Sequence, residues 1–167
     1  SLQLKIGDLD SGAPELRADS RYNLDNAYIT RHYALSSDLF AVMIKTASEG
    51  CLNYQTLILA DRLAWELQQH PGVQATTSLA NAVRQITAGS FEGNLKMNSI
   101  QRNQNVLNYG AQQASVNAPE LFNNDCSLMP VIAFLKDHKA ETLDGVVAIA
   151  EKFARENSTE DRQFLLA

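Results

Sequence analysis

Long apolar runs are the first thing this 167-residue sequence lacks. A membrane-spanning helix needs about 20 consecutive apolar residues. The longest run, Leu128 to Leu135, is far shorter and is interrupted by Pro130. The opening residues are not expected to be a signal peptide. Basic clusters are lacking too: 14 Lys and Arg face 19 Asp and Glu, for a net charge of −5. The cations are scattered along the chain, which argues against a phosphate-backbone partner, so no nucleic acid is expected. Histidine is scarce, and His32, His70 and His138 are far apart, with no pair at metal-ligand spacing. A Gly-rich phosphate cradle and a nucleophile elbow are also missing. The sequence therefore offers no catalytic residue, no cofactor-binding residue and no metal ligand, and enzymatic activity is not expected. The two cysteines, Cys51 and Cys126, fix no redox compartment by number alone. Either could serve as a nucleophile only beside a histidine that the fold brings close.

What the chain does contain is a pattern written twice. Hydrophobic content of 45% suits one domain with a real core. Residues 38–46 form a short apolar run rich in strand formers, a helical period follows from Asn53 to His70, and Pro71-Gly72 leads into a second strand at residues 73–77. Near the other end, residues 128–136 read as a strand, Lys139 to Glu156 as a helix, and residues 162–166 as a closing strand. Strands alternating with helices at this spacing are βαβ units. Two of them joined strand to strand predict an α+β fold, the ferredoxin-like split βαβ sandwich, with residues 38–77 and 125–167 as its halves. Such a fold carries no function by itself.

The remaining segments are less regular. Residues 1–37 read as an extended lead-in and a short helix. Asp8-Leu-Asp-Ser-Gly12 is expected to be a plain turn rather than a calcium loop, since the closing Glu is missing. Asp19-Ser20 can cap a helix running through about Tyr33, with Ala27, Tyr28 and Tyr33 as its candidate packed residues. Residues 78–124 separate the two units as a helical insertion. It holds Leu79, Val83 and Ile86 on one helical side, a break at Gly89 and Gly93, then an amide-rich helix from about Ser99 to Gln113, which is expected to be a solvated face.

The two helices of the repeated units differ. In the second, Leu143, Val146, Val147, Ala150, Phe153 and Ala154 make one stripe, so that helix needs one partner. In the first, Leu57, Ala60, Leu63, Ala64 and Leu67 make the stripe, and Tyr54, Ile58 and Trp65 form a second apolar ridge to one side. That ridge is either covered by the insertion or exposed as a docking surface for a neighbouring subdomain.

Several stretches carry a resemblance. They are Gly7-Asp-Leu-Asp-Ser-Gly-Ala-Pro-Glu-Leu-Arg17, Asp19-Ser-Arg-Tyr-Asn23, Glu49-Gly-Cys51, Pro71-Gly-Val73, Asn124-Asp-Cys-Ser-Leu-Met-Pro-Val131 and Asp137-His-Lys-Ala-Glu-Thr142. In order and spacing they resemble a large extracytoplasmic loop of RND-superfamily exporters, in the MmpL-like, Patched-related bacterial branch. The resemblance implies a porter-type domain on the extracytoplasmic (periplasmic) side of the inner membrane, part of an exporter of hydrophobic or amphipathic molecules driven by a proton gradient. Its partners would be the transmembrane helices and sister porter subdomain of the same transporter, a hydrophobic small molecule or lipid as substrate, and further copies in a homo-oligomer. The proton-relaying acids of such exporters lie in membrane helices, which this stretch does not contain. The competing expectation is a soluble ligand-binding or regulatory module on the same fold. A third is a thiol-dependent redox enzyme, which needs a free reactive cysteine.

Two expectations follow from the fold and the resemblance together. In a split βαβ sheet the first and third strands are antiparallel central neighbours. Cys51 follows the first and Cys126 precedes the third, so the topology brings both to one end of the sheet. The extracytoplasmic compartment that the resemblance implies would let a Cys51–Cys126 disulfide persist, where the alternative is a pair of free thiols. The apolar ending Phe164-Leu-Leu-Ala167 leads to the expectation that the last strand lies against the first and that the parent loop is longer.

Overall fold

The computed structural model describes residues 38–90, 93, 96 and 98–166. The lead-in, with the turn expected at Asp8 to Gly12 and the helix expected from Arg21 to about Tyr33, lies outside the described residues. Four strands, β1 (Leu39–Thr46), β2 (Val73–Ser78), β3 (Leu128–Leu135) and β4 (Arg162–Leu166), form one antiparallel sheet in the order β2-β3-β1-β4. Helix α1 (Tyr54–Gln68) links β1 to β2, and α4 (Ala140–Asn157) links β3 to β4. The insertion supplies α2 (Leu79–Ser90) and α3 (Gln104–Asn117). This is the ferredoxin-like α+β fold with a helical insertion between the second and third strands.

Alternation along the strands assigns the two faces of the sheet. Phe40, Val42 and Ile44 of β1, Met129, Val131 and Ala133 of β3 and Phe164 of β4 join one core with residues of all four helices. The stripe expected on α1 is buried throughout, Leu57, Ala60, Leu63 and Leu67 fully. Each such leucine contributes about 1.5–3 kcal/mol. On α4, Val146, Ala150 and Phe153 are buried as expected, but Leu143 is not. It is 41% exposed although Thr142 beside it is buried, because the buried face centres on Thr142, Val146, Ala150 and Phe153 and Leu143 lies at its edge with the partly buried Val147 and Ala154.

Pro130 is an unexpected residue in a central strand, since proline cannot donate to the ladder. Register explains it. Thr46 N donates to Ser127 O at 2.8 Å and Leu135 N to Asp38 O at 2.8 Å, so the odd-numbered residues of β3 bond to β1. Pro130 therefore turns its nitrogen toward β2, whose ladder has already ended with Ser78 opposite Val131. No strand bond is lost there.

The insertion departs from its expected boundaries. Ser78 Oγ accepts from Asn81 N at 3.3 Å and turns β2 directly into α2, which continues past Gly89. Helix α3 begins at Gln104 rather than Ser99, because Asn103 Oδ1 accepts from Asn105 N at 2.9 Å and sets the start. It packs closely on α2 at Gly110, where a Cβ would lie 3.1 Å from a Val83 methyl.

Candidate functional site: the disulfide end of the sheet and the outer face of α1

Past Thr46 the chain turns through a short 3₁₀ segment, Gly50–Leu52, and enters α1 under the cap of Asn53, whose side chain accepts from Gln55 N at 2.9 Å. The β1–β3 pairing carries on through this turn: Glu49 N donates to Asp125 O at 2.6 Å and Cys51 N to Cys126 O at 3.0 Å. Cys51 and Cys126 are joined by a disulfide with their Cα atoms 5.3 Å apart, inside the span that bridging allows. Both are buried. Glu49 (φ 62°) and Cys126 (φ 51°) take the left-handed backbone conformation, the only non-glycine residues among those described to do so. Both belong to the two loops that the disulfide joins, where backbone bonds and the covalent link hold them in place.

Two other segments converge on this corner. Gln104 of the insertion donates from Nε2 to Leu52 O at 3.2 Å, and the Arg102 guanidinium stacks 4.7 Å over the Tyr54 ring. From β4, Arg162 Nε donates to Thr56 Oγ1 at 2.8 Å. Asp125, fully exposed, accepts from Ser127 Oγ at 2.6 Å and Ser48 Oγ at 3.2 Å, which holds its carboxyl below the usual range. The corner is a clamp between the halves of the fold. Neither cysteine is a free thiol.

The ridge on α1 divides into two parts. Tyr54 and Ile58 are half-buried and pack against the main core, Tyr54 under Arg102 as well, so the insertion covers this end. Trp65, two turns on, is 63% exposed. The docking surface expected over Tyr54, Ile58 and Trp65 thus narrows to Trp65 and its surroundings. One turn before it, Asp61 Oδ1 lies 3.1 Å from Arg84 Nε of α2. Burial pushes the Asp61 carboxyl up and outweighs the opposing pull of Arg84. The contact distance and the direction of the shift point opposite ways. Burial dominates because Arg84 Nε, though close, makes no aligned hydrogen bond, while its Nη2 is spent on Asn81 Oδ1 at 3.2 Å. Nothing in the apolar period of α1 signalled this pair, since its partner lies 23 positions away on another helix.

His32 lies outside the described residues; His70 and His138 have structural partners. His70 Nδ1 accepts from Gly72 N at 2.9 Å, and its ring lies against α4 so closely that a Cβ at Gly145 would come within 2.4 Å of Nε2. His138 pairs through Nδ1 with Asp38, tying the end of β3 to the start of β1. Beside it, Asp137 accepts from the Thr142 hydroxyl and from Lys139 N, which holds its carboxyl below the usual range. Among the described residues no group of His, Cys, Asp and Glu is arranged to hold a metal. The amides Asn103, Gln104, Asn105, Asn108 and Gln112 are exposed, as a solvated face requires.

No helix among the described residues is long and apolar enough to cross a membrane. Neither a protein-family model nor a curated protein matches the chain.

Proposed function

We propose that this chain is the extracytoplasmic porter-type domain of a proton-driven RND/MmpL-like exporter of hydrophobic or amphipathic molecules. The observation that carries the reading is the buried Cys51–Cys126 disulfide at the hub of the fold. Structural disulfides form and persist outside the reducing cytosol. The motifs that resemble the exporter loop include both residues of the bond, in Glu49-Gly-Cys51 and Asn124 to Val131. The ferredoxin-like sandwich is the architecture that the resemblance implies, and the exposed Trp65 on α1 supplies an anchor of the type that docks a sister subdomain. In this role the domain performs no chemistry. It shapes a substrate route, and it passes on motion by rocking as a rigid unit against its neighbours, with the membrane helices supplying the energy.

The test is transport by the parent protein. Trp65→Ser in the full-length exporter should leave its abundance in the membrane unchanged and reduce substrate efflux several-fold. A parent gene without hydrophobic helices flanking this domain would remove the reading and favour a soluble ligand-binding or regulatory module.

A further inference from the structure

Helix α3 carries no charged side chain. From Asn103 to Pro119 the chain has neither an acid nor a base, and Arg102 and Glu120 bracket that stretch. The buried side of α3 is made by Leu107, Gly110, Ala111 and Ala114, and Gly110 seats it directly on Val83 of α2. The opposite side holds Asn105, Tyr109, Gln112 and Val116 on one line along the helix. All four are exposed, Tyr109 by 50% and Val116 by 77%. The outward face of a helix ordinarily carries charges, as α4 does with Glu141, Asp144, Glu151, Lys152, Arg155 and Glu156. A neutral face with an open tyrosine and valine instead has the composition of an interface centre, where charges are depleted and tyrosine is enriched.

We propose that this face of α3 pairs with the same face of a second copy of the chain, the two helices running antiparallel about a two-fold axis beside Gln112. The chain has a net charge of −5, so two copies repel least where each presents no charge. The amides of Asn105 and Gln112 both donate and accept, which makes the face complementary to itself as a row of carboxylates never is. The brackets fix the sense of the pairing. Antiparallel helices bring Arg102 to the end where the partner's Glu120 lies, while parallel helices would set like charges side by side. A two-fold contact is reciprocal, so Tyr109 packs on the partner's Val116 and Val116 on the partner's Tyr109. The inference rests on α3 alone and stands apart from the exporter reading.

The test is sedimentation equilibrium of the full 167-residue chain from roughly 10 to 500 μM, because a helix pair about 21 Å long lies at the small end of specific interfaces. The wild type should rise from the mass of one chain toward that of two. Tyr109→Glu and Val116→Lys each set an unpaired charge against an uncharged partner face and should weaken association at least about ten-fold. Both positions are exposed, so each single variant should keep the wild-type urea midpoint, which separates loss of pairing from loss of fold. In the combined variant each new acid meets a new base on the partner, and association should return. A wild type that stays monomeric throughout would overturn the proposal and leave the face to a different protein. A dimer that neither single change weakens, or a combined variant no tighter than the singles, would overturn it as well.

Discussion

The Cα atoms of Cys51 and Cys126 lie 5.3 Å apart although 75 positions separate them in the sequence. Their closeness is set by the sheet, since β1 and β3 are antiparallel neighbours and the residues flanking both cysteines continue that pairing. Closing a loop of this size stabilises a domain by about 4 kcal/mol in the chain-entropy model. The double variant Cys51→Ala/Cys126→Ala should therefore lose about that much in urea unfolding and keep its far-ultraviolet circular dichroism. A loss under 1 kcal/mol would show that the backbone bonds alone hold this corner.

Trp65 is exposed, so its removal should hardly affect folding. Trp65→Ser is expected to change stability by no more than about 0.5 kcal/mol, as for other surface sites. A loss of about 3–5 kcal/mol, the cost of emptying a packed aromatic site, would mean that the side chain belongs to the core.

Asp61 gives a pH dependence of definite sign. Its carboxyl is raised in the folded protein by burial, against the pull of Arg84. A raised acid contributes stability that is fully present below its unfolded value and is lost as pH rises through its folded value. Asp125 and Asp137 are held low and act in the opposite sense, losing their contribution as pH falls. Urea midpoints of the wild type and Asp61→Asn, taken from pH 3 to pH 7, separate the two. The wild type should lose stability relative to the variant as pH rises through the folded value. The reverse slope would mean that the Arg84 pair outweighs burial.

A Cβ at Gly145 would come within 2.4 Å of His70 Nε2, so a larger residue there fits only if the ring, held through Nδ1 by Gly72 N, swings aside. Gly145→Ala should cost about 1–3 kcal/mol through overpacking. Combining it with His70→Ser should recover part of that loss. If the double variant is worse than the sum of the two, the contact is not the cause.

The parts of this fold that were legible in the sequence are those written in local periodicity. The buried stripe of α1 and the apolar runs of β1 and β3 stand out because every second or every third to fourth residue repeats a type. Cys51 and Cys126 became a legible pair once the strand order was assumed. Leu143 departs from expectation because the apolar stripe of α4 is wider than the face it buries, which leaves Leu143 at the edge. The start of α3 was misjudged because an amide-rich tract has no apolar period, and Asn103 decides the boundary by its cap. The Asp61–Arg84 and His138–Asp38 contacts join separate elements, so no local pattern announces them. Pro130 reads as a strand breaker until the register shows that β2 has already ended beside it.

The proposed location is tested most directly from outside the cell membrane. In the full-length parent protein, Trp65→Cys places a thiol at an exposed site, while the native cysteines stay locked in their disulfide. A membrane-impermeant maleimide applied to intact spheroplasts should label this thiol as fully as it does after lysis. Labelling only after lysis would put the domain on the cytosolic side and contradict the account.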